Sequence, residues 1–301
     1  MKGPILSICI PTYNRSVYLK QSLDVLCHQI NSDDVELIIS DNDSPDNTKE
    51  VVAEFVKLND RIHYFKQDTN VGASRNFISL MHRAQGKYIL LLGDDDLVTE
   101  NAVSILVDIL KGKDYGLLYI ETRSTDNKST REFNNKTDFV KEISYFYTFM
   151  SSSLFRKDVV TMIEDPLRYV PSHLLQMPFY IKSTLLSDNN AITYEPIFAT
   201  IGLAAKGNGG YNFFDVFVNW YYRIWEEYLD DKQLLKWLKK DIWPFVWQYT
   251  IQLLIHKDVG NFKVENGWKI LFKHYGNETY FWWSLIKYPF QVIKRKIKKL
   301  L

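Results

Sequence analysis

Three consecutive carboxylates, Asp94, Asp95 and Asp96, follow the apolar run "YILLL" (88–92) through a single glycine, Gly93. Like charges side by side at the end of a buried stretch repel one another, and keeping two of them ionised is costly without a positive partner. A hard divalent cation removes that cost. Mg2+ and Mn2+ take oxygen ligands and use one or two protein carboxylates, with a diphosphate and water completing the octahedron. The plainer alternative is that Asp96 caps a helix and its neighbours face water. Other segments carry matching chemistry. In "DNDSPD" (41–46) Asp41 directly follows an apolar run and can accept a hydrogen bond from a nucleobase N–H, while the remaining residues suit a helix-capping turn. In "PTYNR" (11–15) Tyr13 can stack on a base or simply pack. In "QDTNVGASRN" (67–76) Gly72 lets the backbone approach a ligand and Arg75 can meet a phosphate.

The elements that must position these residues are legible as alternating patterns. Short β-branched runs at 5–10, 35–40, 62–66, 88–92 and 116–120 read as strands. Between them, helical spacing recurs at 18–29 (Leu19, Leu23, Leu26, Ile30), 48–58, 73–84 and 99–111. This alternation predicts an α/β fold with a mainly parallel sheet flanked by helices, in which ligands bind beyond the carboxyl ends of the strands. All the segments quoted above then converge on one sheet edge. A further helix is expected at 174–186 and a closing strand at "AITYEPIFAT" (191–200).

The totals set bounds. With 301 residues, 46% of them apolar, the chain can bury a substantial core in one or two domains. A formal charge of +1 argues against a nucleic-acid partner. All eight tryptophans lie between Trp220 and Trp283, so a change of architecture is expected near residue 210, with domains at 1–210 and 211–301. Residues 281–301 carry six basic and no acidic side chains. There Ile286, Phe290, Ile293, Ile297 and Leu300 recur at helical steps, with Lys294 and Lys298 on another face. Such a basic, amphipathic, Trp-bearing segment suits an anionic membrane surface, or else packs its stripe on the domain. Cys9 and Cys27 lack metal-ligand spacing, which predicts a reduced, cytoplasmic setting. The N-terminus breaks at Pro11 before it can form a signal peptide, and no transmembrane span is expected.

Four motifs in this order and spacing, "SICIPTYNR", "ELIISDNDSPDNT", "NVGASRNF" and "GKYILLLGDDD", resemble the family 2 glycosyltransferases of the GT-A (Rossmann-like) fold, strongly over residues 4–120 and more loosely to about 200. An abequosyltransferase-like branch is one candidate subgroup. The resemblance implies a nucleotide-diphospho-sugar donor, Mn2+ or Mg2+, and inversion at the anomeric carbon. It would place Pro11, Thr12, Tyr13 and Arg15 at the nucleotide, Asp41 on the base, Arg75 at the phosphates and Asp94 at the nucleotide or ribose. Asp95 would be the metal carboxylate, with either Asp94 or Asp96 sharing the metal or the donor sugar, Asp96 being the second metal candidate. One departure is Gly93, which stands where the usual pattern has its first acid.

Inverting transfer also needs a base for the acceptor hydroxyl. In the family this is an Asp in a Glu-Asp pair before the closing strand; here the stretch reads "YVPSHLLQM" (169–177), and His173 takes the place, with Glu164, Asp165 and Asp188 as rivals. A neutral imidazole at a helix N-terminus suits a base, because the dipole disfavours its protonation. "SSSLFRKD" (151–158) reads as an acceptor-side wall, and the glycine-rich "AAKGNGGYN" (204–212) as a lid with Lys206 near the diphosphate, or else as a linker. The expected reaction adds one sugar to a saccharide, on a lipid-linked surface-polysaccharide precursor at the inner face of the cell membrane. The rival readings are a sugar-nucleotide nucleotidyltransferase, which would need a basic glycine-rich loop where "PTYNR" stands, and a degenerate donor-binding or scaffold protein at the membrane.

Overall fold

The computed structural model describes residues 3–122, 129–202 and 210–300, with side chains described up to residue 289. The chain divides into two compact units, Met1–Gly207 and Asn208–Leu301.

In the first unit the strands β1 (Leu6–Thr12), β2 (Val35–Asp41), β3 (Ile62–Lys66) and β4 (Tyr88–Leu91) lie parallel in the order β3-β2-β1-β4. Helices α1 (Ser16–Leu26), α2 (Thr48–Leu58) and α3 (Ala73–Arg83) connect them. Every residue of β1, β2 and β4 is buried, as expected of parallel strands covered on both faces, and this is why they read as continuous apolar runs. Past β4 come the short β5 (Leu97–Val98), α4 (Ala102–Leu110), β6 (Leu117–Ile120), β7 (Thr130–Phe133), α5 (Lys136–Ile143) and β8 (Ser153–Arg156). They are followed by α6 (Val159–Met162), α7 (Gln176–Leu185), β9 (Asn190–Thr193) and β10 (Phe198–Thr200). The sheet continues β4-β8-β6-β9-β7, with β8 antiparallel to both β4 and β6, β9 parallel to β6 and β7 antiparallel to β9. It is therefore a mixed sheet of eight strands, parallel throughout its first half.

The expected single strand at 191–200 is two strands in two sheets: β9 joins the main sheet and β10 pairs with β5. Pro196 lies between them, and without an N–H it cannot continue a ladder. The turn it makes is held where Thr99 donates its N–H to Ile197 O at 2.9 Å and its hydroxyl to Pro196 O at 2.6 Å. At the edge opposite the carboxyl ends, the buried Glu36 carboxylate accepts from Ser7 Oγ and from the N–H groups of Gln85 and Gly86, tying β1, β2 and the start of β4 together. Cys9 and Cys27 are both buried free thiols, and burial pushes the Cys9 thiol far up, which leaves it unreactive.

The second unit is helical: α8 (Tyr221–Tyr228), α9 (Lys232–Asp241), α10 (Trp243–Thr250), α11 (Gly267–Tyr275) and α12 (Thr279–Leu300). Asp231 caps α9 by accepting from Gln233 N and Leu234 N. Aromatic rings fill the interior. Phe213 stacks on Tyr249 with centroids 4.3 Å apart and meets Phe217, Phe245 and Phe262. Gly267 is required by this packing, since a Cβ there would lie 2.8 Å from the Phe214 ring.

Candidate active site

Because β1, β2, β3 and β4 are parallel, their carboxyl ends share one edge of the sheet. β8 runs the other way and begins at that edge, so Ser151 and Ser152, just before it, stand beside the end of β4. The acidic triplet is built there. Gly93 N–H donates to Ser151 Oγ at 3.0 Å, and Ser151 Oγ in turn donates to Asp96 Oδ2. Asp96 Oδ1 accepts from Gly202 N–H at 2.7 Å. A Cβ at Gly93 would sit 2.7 Å from Asp96 Oδ2 and 3.3 Å from Asp95 Oδ1. The glycine and the inward turn of Asp96 therefore belong together: the carboxylate folds back into the space that a side chain at position 93 would fill.

Asp94 and Asp95 point to a shared cation. The Arg15 guanidinium forks between them, Nη1 to Asp94 Oδ1 and Nη2 to Asp95 Oδ2, each at 2.9 Å. Thr12 Oγ1 donates to Asp94 Oδ2 at 2.8 Å. Both Asp94 oxygens are thus held by the end of β1 and the residues just past it. Burial pushes the Asp94 carboxyl up to about 6, with Arg15 and Thr12 acting against that rise, and burial likewise raises Asp96 against the bonds from Ser151 and Gly202. Two adjacent, buried carboxylates already converging on one positive group form a hard-oxygen set that fits a divalent ion. Among the described residues no group of three or more His, Cys, Asp or Glu side chains is placed to hold a metal unaided. A metal here would complete its shell with oxygens from a ligand, as Mg2+ does with phosphates.

At the end of β2, Asp41 is buried; its Oδ1 accepts from Ser44 N–H at 2.8 Å and its Oδ2 from the Tyr64 hydroxyl at 2.6 Å. Burial pushes the Tyr64 hydroxyl far up, with Asp41 adding to the rise, so it stays a donor. Asn42 fastens the neighbouring loop: its amide donates to Asn70 Oδ1 at 2.8 Å and its Oδ1 accepts from Val71 N–H at 2.9 Å. Gly72, at φ +83, then turns the chain into α3, a conformation that favours glycine. Asn76 is buried and bonded to both Ser40 Oγ and Ser40 O, which pins the start of α3 to the end of β2 and leaves Arg75 exposed on the same edge. Asp46 accepts from Ser16 N–H and from Thr48, so one carboxylate serves the starts of both α1 and α2. Pro11 is buried within β1, while Tyr13 is 43% exposed and available for stacking.

The site edge also receives the start of α7. Gln176 Nε2 donates to Thr148 O, the Tyr180 hydroxyl to Met150 O, and three residues further on Ser183 Oγ accepts from Arg156 N–H at the far end of β8. His173 ends the 3-10 helix Pro166–Ser172 in the left-handed region (φ 56, ψ 14), exposed, three residues ahead of α7. Asp188 follows α7 and pairs with Lys136, beside Asn189, whose carbonyl accepts from Gly116 before β6; it lies at the edge opposite the triplet. Glu164 and Asp165 are exposed and follow α6, which begins beside Lys87 at that opposite edge. Lys206 and most of the 204–212 segment lie outside the described residues.

Three partnerships escape a reading of the motifs alone: Arg15 with Asp94 and Asp95, Tyr64 with Asp41, and Ser151 with Asp96. The sequence places Ser151 only in an acceptor-side wall; in the structure its hydroxyl is committed to the acidic turn, and that of Ser152 donates to Phe149 O at 3.3 Å.

The glycosyl transferase family 2 model matches residues 7–165. Among curated relatives, an abequosyltransferase, RfbV, of Salmonella typhimurium is 29% identical over 189 residues, 55% of this chain and 57% of its own length. A GalNAc(5)-diNAcBac-PP-undecaprenol beta-1,3-glucosyltransferase of Campylobacter jejuni is 37% identical over 105 residues, 35% of this chain and 34% of its own. This chain thus spans about half or less of the length of these relatives. Among solved structures, residues 1–349 of S. aureus TarS, also solved with UDP-GlcNAc, superpose with a TM-score of 0.63 at 17% identity, over 82% of this chain and 75% of that one. The mannosyltransferase PcManGT of Pyrobaculum calidifontis, in complex with GDP-Man and Mn2+, gives 0.54 at 13% identity over 79% and 70%.

Proposed function

The chain belongs to glycosyl transferase family 2, and from that premise we propose that it is an inverting glycosyltransferase that moves a sugar from a nucleotide-diphosphate donor to a saccharide hydroxyl on a lipid-linked surface-polysaccharide precursor. The observation that carries this reading is the convergence of Asp94 and Asp95 on one positive charge at the carboxyl edge, within reach of the ends of β1 and β2. In the proposal Asp41 accepts a hydrogen bond from the donor base, held in orientation by Tyr64, and Tyr13 stacks on that base. Pro11 and Thr12 line the nucleotide pocket, Arg75 meets the diphosphate, and Asp94 accepts from the ribose. Asp95 is the metal carboxylate; Asp96 would have to give up its bond from Ser151 or from Gly202 to join it. A divalent cation, Mn2+ or Mg2+, would supply positive charge to the departing diphosphate.

Arg15 holds the acidic pair together until donor and cation arrive, and is then released to the diphosphate. His173, ahead of α7 on the same edge, takes the proton of the acceptor hydroxyl as that oxygen attacks the anomeric carbon. The activities of the relatives, an abequosyltransferase and a glucosyltransferase acting on an undecaprenol-linked saccharide, support a saccharide acceptor on a lipid. The nucleotide-sugars in the two superposed structures support the donor class. No described helix is long and apolar enough to cross a membrane. The basic segment at 280–301 is proposed to hold the protein on the inner membrane face.

Stereochemistry tests the reaction. With an α-linked nucleotide-sugar and Mn2+, NMR of slow donor hydrolysis should show the β anomer released first, and no release in metal-free buffer. Release of the α anomer first, or no release with any common donor, overturns the proposal.

A further inference from the structure

The second unit contains a groove of about 880 Å3 with no counterpart in the chemistry above. It lies between the α9–α10 corner and the first turns of α12, and its walls include Lys240, Trp247, Gln248, Tyr280, Trp283 and Lys287. Its frame is fixed where Trp243 Nε1 donates to Ser284 Oγ at 3.0 Å and Trp243 stacks on Trp247, so the two helices present one continuous wall.

The groove is positively biased. Among the described residues no acidic side chain lines it. The neighbouring Lys239 is neutralised by Glu278 at 2.9 Å, whereas neither Lys240 nor Lys287 has an acidic partner among the described residues. Lys287 Nζ instead stands 5.4 Å above the Trp283 ring, which holds the ammonium at the mouth without cancelling its charge. Beside the mouth, Trp282 and Trp283 are 47% and 58% exposed and Ile286 56%, with Phe272 packed on Trp282. Large exposed apolar side chains in one patch mark an interaction surface, and tryptophans ringed by lysines suit the headgroup level of a bilayer.

We propose that this groove binds the phosphate of an anionic phospholipid, with Lys240 and Lys287 on the phosphate oxygens and Trp282, Trp283 and Ile286 entering the headgroup region. The inference rests on the membrane partner proposed above, and it adds a defined site to what would otherwise be attraction by net charge. The ammonium groups act as compact phosphate partners, and the rings give the glycerol and upper acyl carbons an apolar floor.

Flotation of the full chain with vesicles tests it. The wild type should bind phosphatidylglycerol/phosphatidylcholine vesicles and not pure phosphatidylcholine. The pair Lys240→Gln/Lys287→Gln should lower the partition coefficient about twenty-fivefold, at about fivefold per basic residue near an anionic surface. The pair Lys232→Gln/Lys236→Gln, with the same charge change on exposed α9 positions outside the groove, should lower it no more than about twofold. Matching near-ultraviolet circular dichroism establishes that both pairs are folded. If the two pairs lose binding equally, the groove is not the site, while the membrane reading stands. If the wild type binds neither vesicle, both fall. If inorganic phosphate quenches the tryptophans and releases the protein from vesicles, the pocket takes free phosphate and the lipid assignment is overturned.

Discussion

Replacing Arg15 by Gln removes the cation that bridges Asp94 and Asp95 among the described residues. The burial of Asp94 lifts its carboxyl from 3.8 to about 6, although Arg15 already opposes the rise. A carboxyl whose folded value lies above its unfolded one is a liability when ionised: above pH 6 it costs the folded unit about 3 kcal/mol, and the cost disappears as pH falls from 6 towards 4. Without the guanidinium the carboxyl must rise further, and two charge-assisted hydrogen bonds at 2.9 Å are lost. Arg15 is itself about a third exposed, so solvent takes up part of the loss. The remaining penalty at pH 7.5 is about 2 kcal/mol, which for a unit of this size lowers the melting temperature by about 4–8 °C. At pH 5 Asp94 is protonated in both proteins and needs no counter-charge, so the difference should shrink below about 2 °C. Thermal unfolding followed by circular dichroism, in EDTA from pH 5 to 8, reads both numbers. An equal loss at both ends of the range would refute the electrostatic role of Arg15, and so would no loss at pH 7.5.

Ser151→Ala should cost about 1–3 kcal/mol, because it strands the Gly93 N–H and one Asp96 oxygen in a buried turn; denaturant unfolding checks this, and a change under 0.5 kcal/mol contradicts the bracing role. Tyr64→Phe frees one oxygen of Asp41 and should raise the nucleotide dissociation constant about three- to tenfold by calorimetry with the fold intact, whereas unchanged affinity would detach Tyr64 from base reading. His173→Gln should lower kcat at least a hundredfold with little change in donor KM; full turnover in this variant together with its loss in Asp165→Asn would move the base to Asp165.

The first half of the fold was open to sequence reasoning because each parallel strand is buried on both faces and ends in a polar motif. The runs at 35–40, 62–66 and 88–92 became β2, β3 and β4 within a residue. The second half was less open. β8 inserts antiparallel between β4 and β6, a pairing set by partners far along the chain, and Pro196 divides a run that looked like one strand. The site shows the same division. Asp41, Asp94 and Asp95 stand out because carboxylates at strand ends are conspicuous. The fork from Arg15 joins residues eighty positions apart, and the Ser151–Asp96 bond joins residues fifty-five apart, so neither leaves a local pattern. Gly93 departs from the acidic motif, and its physical reason is visible only in three dimensions, where Asp96 occupies the room the glycine leaves.

The central claim is that the Asp94–Asp95 turn binds a nucleotide-diphosphate donor through a divalent cation, and a thermal-shift screen of UDP, GDP, CDP and dTDP with Mn2+ tests it most directly. One nucleotide at a hundredfold excess over its dissociation constant should stabilise the protein by about 2.7 kcal/mol, several degrees in melting temperature. That shift should vanish in EDTA and in Asp95→Asn. No stabilisation by any nucleotide, or a shift that survives unchanged in Asp95→Asn, would contradict the account.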